Sequence, residues 1–250
     1  MKLLDFIAIL GALAWLPQII SWIYNFMKKP EISIYHDGEA EVGYTKNGNV
    51  FNLRLSFLAR YKYALIDNIE LLLIDKDGAH HTLKWMWYSE TFYELQGPGG
   101  NATMARQQNA IAINAFKDVL IEKFIGFQSI NFLEKRKELA YKLTTFVENH
   151  KTNGDININN IKNSHEYNEL IRLYKNSLLW KSGSYSAVAK IHIADTNETI
   201  NHCFSFRLSD LELDTLNKNI EYVKSIIDYE FIGIDKELTG AWLWAKPTIN

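Results

Sequence analysis

The histidines and the single cysteine are the side chains best suited to bind a metal or attack a substrate; the chain has 7 His and 1 Cys. His80 and His81 are neighbours in a predicted strand, so their side chains point to opposite faces and cannot readily share one ion. His192 and His202 belong to a predicted hairpin, but the register that keeps its apolar residues on one face does not pair them. Cys203 stands beside large apolar residues, which suits a buried thiol better than a nucleophile. We therefore predict no metal site, no cofactor and no catalytic residue.

Three short motifs match ligand-binding patterns only in part. His165-Glu166 begins like a zinc-protease helix, but Glu169 occupies the position of the second histidine ligand. Residues 75–78 (DKDG) lack the terminal glutamate of a calcium loop, so we interpret them as a turn. The glycine-rich run at 96–101 lacks the Lys-Ser/Thr of a phosphate-binding loop. The sequence thus favours a non-enzymatic protein, although calcium bound by loop acids stays an alternative.

Charged residues form small clusters, and the molecule as a whole has little net charge. The formal net charge is -2, so we expect no nucleic-acid partner. Asp210, Glu212 and Asp214 lie in the first turns of a predicted helix, where they offset the helix dipole. Residues 134–138 (EKRKE) are typical of a solvated helix face, and contact with anionic lipid headgroups is the alternative.

A long apolar run occupies residues 3–27, with Asp5 as its only charge. At helical rise it spans roughly 37 Å, against about 30 Å for the hydrocarbon core of a bilayer. We predict a transmembrane helix in a single-pass membrane protein, with a cleaved signal peptide as the alternative. The lysines that follow the run and the lack of disulfides favour a cytoplasmic soluble part.

Small and polar residues form a stripe along this predicted helix. Successive spacings of three and four residues keep them within an arc of roughly 80°. Small residues allow close backbone approach in lipid, so the stripe predicts self-association of the helix. Its members are Gly11, Ala14, Gln18, Ser21 and Asn25. The residues expected at the membrane interface are Trp22, Tyr24, Lys28 and Lys29.

After Pro30 the apolar residues alternate with period two, which predicts half-buried strands. A loop at 76–78 predicts a hairpin that pairs Leu71 with Leu83 and Glu70 with Lys84. A two-residue turn at Thr196-Asn197 predicts a second hairpin in which Ile193 pairs with Ile200, Ala189 with Phe204, and Ala187 with Phe206.

Helical periodicity appears over 130–149 and 164–179, with an Asn-rich loop at 152–163 between them. Asn163 with Glu166, and Ser209 with Glu212, match the capping-box pattern at the starts of two helices. The fold class predicted is α+β: an N-terminal transmembrane helix and an antiparallel β-sandwich, immunoglobulin-like or C2-like, with an inserted helical hairpin and a C-terminal helix. The predicted parts are an anchor (1–29) and a soluble domain (30–250), which comprises a sandwich (30–128 and 183–208), a helical insertion (129–180) and a C-terminal helix and tail (209–250).

The function predicted from these elements is a membrane-anchored, non-enzymatic binding or sensing module that self-associates through its helix. Two alternatives stay open: an effector whose oligomerised helices permeabilise the bilayer, and a membrane-tethered hydrolase. The expected partners are the lipid bilayer, further copies of the chain, and a ligand or protein that the sequence does not identify.

Overall fold

The computed structural model describes residues 14–24, 27–97, 100–152, 157–233 and 241–250. Its strands are β1 (Glu31–Thr45), β2 (Gly48–Arg60), β3 (Ala64–Ile74), β4 (His80–Gly97), β5 (Gly100–Asn109), β6 (Ile113–Ala115), β7 (Leu120–Gln128), β8 (Gly183–Ile193), β9 (Glu198–Leu208) and β10 (Trp244–Ala245). Its helices are α1 (residues 14–24), α2 (Ile130–Thr152), α3 (Ile158–Lys162), α4 (His165–Asn176) and α5 (Asp210–Ile227), which continues into a π-helical turn (Asp228–Ile232).

The strands form one antiparallel sheet in the order β10-β1-β2-β7-β4-β3-β8-β9, with β5 added to β4 and β6 added to β3. This sheet curls into a half-barrel, and C-terminal residues bridge β1 to β9. The Ile249 amide donates to the Gly38 carbonyl at 2.8 Å, and Asn250 and Ser205 exchange two backbone hydrogen bonds of 2.9 Å. The predicted two-sheet sandwich, immunoglobulin-like or C2-like, is therefore wrong, because the strands belong to one continuous ladder.

Two apolar clusters hold the molecule together. The inner face of the curled sheet forms the larger one, and β2 contributes the fully buried Phe51, Leu53, Leu55 and Phe57, as its alternation predicted. The smaller cluster lies between one end of the sheet and the helices, and includes Tyr44, Phe132, Leu143, Leu170 and Val223. The helices thus cover one end of the half-barrel.

The hairpin of β3 and β4 has the predicted register. Leu71 pairs with Leu83 and Glu70 with Lys84, and the Lys84 ammonium lies 3.6 Å from the Glu70 carboxylate. The predicted left-handed glycine, Gly78, has φ 79°. This prediction is confirmed because a three-residue loop with glycine in that conformation fixes the pairing of its two strands.

The hairpin of β8 and β9 differs from its predicted register by two residues. Ile191 pairs with Ile200, Ala187 with Phe204, and Tyr185 with Phe206. The strands are joined by four residues, 194–197, and not by two. A register shift of two residues leaves every side chain on the same face of the sheet, so apolar alternation alone could not distinguish the two registers.

Two segments predicted as loops contain regular structure. Gln96 pairs with Asn101 and Gly97 with Gly100, so the glycine-rich run joins β4 to β5. The Asn-rich segment contains α3. The cap of α4 is Ser164, one residue after the predicted Asn163, whereas the capping box of Ser209 and Glu212 is present as predicted.

No helix within the described ranges is both long and apolar enough to cross a membrane. The described part of α1 covers residues 14–24, which at helical rise is about 16 Å and half of a hydrocarbon core; residues 3–13 of the predicted span lie outside the described residues. The prediction of a single-pass membrane protein with a cytoplasmic domain is therefore contradicted. The membrane module, the membrane effector and the membrane-tethered hydrolase depended on that helix and are overturned with it.

Candidate functional site

A polar cavity of about 570 Å³ lies between one end of the sheet and the helices. Strands β2 and β4 begin at this end and β7 ends there, while α2 begins and α4 ends beside them. Hydroxyl, amide and imidazole groups line the cavity together with leucine and phenylalanine side chains, a mixture that is typical of sites for small molecules. The lining residues are Asn49, His81, Thr82, Leu83, Ser129, Asn131, Phe132, Lys135, Leu173, Ser177 and Leu179.

The floor of the cavity is held in place by Asn49, whose side chain is buried where β2 begins. Its amide nitrogen donates to the Ser177 carbonyl at 2.6 Å. Its amide oxygen accepts the Leu179 N–H at 3.0 Å. The residue before it, Gly48, has φ 80° and touches the Phe132 ring, so a side chain there would be strained and crowded.

A buried carboxylate, Asp75, lies behind the cavity wall in the turn between β3 and β4. Its Oδ1 accepts the backbone N–H groups of Asp77 and Ala79, both at 2.9 Å. Its Oδ2 accepts the Lys181 ammonium at 2.9 Å. These bonds confirm the interpretation of residues 75–78 as a turn, since an aspartate side chain that bonds backbone amides ahead of it stabilises one.

His81 stands between that carboxylate and the cavity. Its Nε2 lies 3.6 Å from the Asp75 Oδ2, is buried, and has no hydrogen-bond partner within the described residues. A neutral imidazole has one N–H donor and one lone-pair acceptor. The negative charge of Asp75 favours the tautomer with the proton on Nε2, which leaves the lone pair on Nδ1.

Ionic contacts keep Asp75 charged. The Lys181 ammonium, and next the Ala79 amide, hold the pKa of the Asp75 carboxyl well below its usual range. In turn the carboxylates of Asp77 and Asp75 raise the pKa of Lys181. The arrangement therefore places a permanent anion 3.6 Å from an imidazole.

The first turn of α2 also lines the cavity, through Asn131 and Phe132. The helix is 23 residues long with no acidic residue in that turn, so the partial positive charge of its N-terminus is not offset locally. Lys135 adds a cation that also pairs with Glu138 at 3.1 Å. This wall therefore favours a ligand group with negative or partly negative oxygen atoms.

The predicted association stripe is only partly described. Ala14, Gln18 and Ser21 lie exposed on α1, whereas Gly11 and Asn25 lie outside the described residues. Self-association through this stripe stays a prediction.

The predicted interface residues lie at the end of α1. Trp22 and Tyr24 are 69% and 62% exposed. The Lys28 ammonium is 4.6 Å from the centroid of the Tyr24 ring, and Lys29 pairs with Glu198 at 2.6 Å. Their predicted place at a membrane interface is not tested by these contacts.

The two histidines considered as metal ligands, His192 and His202, contact different partners. His192 contacts Asp67 at 2.6 Å and Asn197 at 3.1 Å. His202 instead packs against His36, with ring centroids 5.3 Å apart. Cys203 is exposed, which corrects its prediction as a buried thiol; the neighbouring Phe204 takes the inward position of the strand.

Sequence reasoning missed His81 as a site residue because it considered that histidine only together with His80. The signal was the alternation of β4, in which residue 81 shares a face with the buried Leu83 and Trp85. A histidine on the buried face of a strand can contact an aspartate in the turn that precedes the strand, and His81 follows Asp75 by six residues. The cavity itself depends on helices far along the chain.

Comparisons with known proteins give no family. No protein-family model matches the chain, and no curated protein matches it. A similar solved structure is a family 123 glycoside hydrolase from Clostridium perfringens, from a study of glycolipid glycan hydrolysis. The identity is 10% and the TM-score 0.32, and the match covers 72% of this chain and 28% of that one. A likeness this low supports no argument about the function of this chain, which spans less than a third of that enzyme.

Proposed function

We propose that this protein is a hydrolytic enzyme that acts on a small polar substrate bound in the cavity. The observation that supports the proposal is the imidazole of His81 at the cavity wall with the charged, buried Asp75 3.6 Å behind it. A histidine positioned by a carboxylate is the usual general base of hydrolysis. The cavity volume of about 570 Å³ is in the range of small-molecule sites.

In the proposed reaction, His81 takes a proton on Nδ1 from a water molecule as that water attacks an ester-like carbonyl carbon. The proton is then delivered to the departing oxygen when the bond between that oxygen and the carbonyl carbon breaks. Asp75 is a positioning residue, because it orients the ring and stabilises the imidazolium without touching the substrate. The N-terminus of α2 and Lys135 stabilise the negative oxygen that develops on the carbonyl.

The test is hydrolysis of p-nitrophenyl acetate by the full chain and two histidine variants. His81→Gln removes the base, and we expect the rate to fall by about 100-fold or more. His80→Gln is the matched control, because His80 is adjacent in sequence, exposed, and on the other face of β4; we expect its rate to equal that of the wild type.

Surface histidines hydrolyse this ester slowly, so the comparison between the two variants decides the outcome. Equal losses in both variants, or a wild-type rate equal to that of His81→Gln, would show that the cavity histidine is not a catalytic base. Circular dichroism confirms that each variant is folded before rates are compared.

A further inference from the structure

One end of the half-barrel exposes a ring of large apolar side chains. It is the end opposite the cavity, where β1, β3 and β7 begin, as the pairings of Glu31 with Arg60 and Leu58 with Leu120 show. The side chains come from three connections that are separate in sequence. We call them the apolar rim, and they are Tyr61, Tyr63, Ile111, Phe116, Val119 and Leu120, which are between 44% and 79% exposed.

Helix α1 meets the half-barrel at this same rim. The Lys28 ammonium that follows the helix lies 3.9 Å from the centroid of the Tyr61 ring. Large apolar side chains of the helix, among them Trp15, Ile20 and Trp22, are 62–69% exposed. At 100° per residue the apolar side chains of α1 cover an arc of roughly 200°, far more than one packed neighbour needs.

The charges around the rim nearly cancel, because five cations stand beside four acids: Lys28, Lys29, Arg60, Lys62 and Lys117 with Glu31, Asp118, Asp195 and Glu198. Lys29 pairs with Glu198 at 2.6 Å, and Lys117 lies 3.8 Å from Asp118. A strongly anionic partner is therefore not favoured. Large exposed apolar side chains gathered at one end of a fold are typical of an interaction site.

We propose that the apolar rim, together with α1, docks on the surface of a lipid membrane. A fluid apolar layer can contact both this end of the half-barrel and the whole apolar arc of α1, whereas a second folded copy covers a narrower face of the helix. Tyrosine and lysine beside aliphatic side chains suit the boundary between headgroups and acyl chains. The contact is with one face of the membrane and involves no crossing.

The test is co-sedimentation of the full chain with phosphatidylcholine vesicles. The variant Ile111→Ser, Phe116→Ser, Leu120→Ser removes the centre of the rim and leaves α1 unchanged. We expect it to lower the partition coefficient about tenfold or more, because three apolar side chains no longer leave water. The matched control is Tyr141→Ser, Ile158→Ser, Leu211→Ser, whose residues are also exposed but lie on the helices; we expect it to bind like the wild type.

Replacing a third of the phosphatidylcholine by phosphatidylserine should change binding less than twofold, since the rim has little net charge. Light scattering after size exclusion measures the mass of each variant without vesicles. The proposal is overturned if the wild type does not sediment with vesicles, or if the rim variant binds as well as the control. It is also overturned if the rim variant changes only the oligomeric mass, which would identify the rim as a contact between copies.

Discussion

At the scale of single residues, Asp75 joins the fold to the proposed chemistry. Its pKa is lowered in the folded chain, first by Lys181, so the carboxylate stabilises the fold above the ordinary aspartate pKa of about 3.9. That contribution is lost as the pH falls below this value. We expect Asp75→Asn to have a lower Tm than the wild type at pH 7 and the difference to narrow below pH 4. Thermal unfolding from pH 3 to 7 measures this, with the exposed Asp77→Asn as the variant expected to change little.

His202 also makes the fold less stable as the pH falls, but it does so in the range where histidine titrates. Burial, and next the charge of His36, lower the pKa of its imidazole. Below the ordinary histidine pKa of about 6.5 the unfolded chain therefore takes up the proton more readily, and stability declines as the pH falls. We expect the Tm of His202→Phe to fall less than that of the wild type between pH 7 and pH 5. A variant of the exposed His165, His165→Gln, should keep the wild-type slope, and equal slopes in all three proteins would contradict the assignment.

At the scale of elements, asparagine side chains replace the hydrogen bonds that irregular segments cannot make with a neighbouring strand. Asn219 of α5 is buried, donates to the Leu243 carbonyl at 2.7 Å and accepts the Leu243 N–H at 3.0 Å. Asn219→Ala leaves both backbone groups unpaired, and we expect a loss of about 2–4 kcal/mol in the free energy of unfolding. Asn217→Ala, two residues earlier and exposed on the same helix, should cost less than about 0.5 kcal/mol. Urea denaturation distinguishes the two variants. Similar midpoints would show that the two hydrogen bonds between Asn219 and Leu243 contribute little to stability.

At the scale of the whole molecule, the last residues determine whether the curled sheet stays closed. Ile249 is 4% exposed and bridges the strand of Gly38 to the strand of Phe206. Ile249→Ala should destabilise the chain by about 2–5 kcal/mol and speed amide exchange in both β1 and β9. The exposed neighbour Thr248→Ala is the control. Exchange that increases only at residues 245–250 would mean that the tail is an appendage and not a closing element.

The sequence by itself determined the local structure of this protein. The register of β3 with β4, the capping box of Ser209 and Glu212, and the buried face of β2 each depend on residues close together in the chain. Period, loop length and cap chemistry specify such features without knowledge of distant partners. The long apolar run at the N-terminus satisfied a rule of the same local kind, the length criterion for a membrane-spanning helix. Yet no helix within the described residues could cross a membrane.

Only the tertiary structure decided which distant segments of the chain are neighbours. Closure of the sheet by residues 245–250, the cavity beside His81 and the apolar rim each bring together segments separated by tens to hundreds of residues. Strand order cannot be read from alternation, because every half-buried strand has the same pattern whichever strand lies beside it. The candidate site is therefore a product of the fold. Its histidine and aspartate are ordinary in the sequence and become a pair because the hairpin turn and Lys181 bury the carboxylate beside the ring.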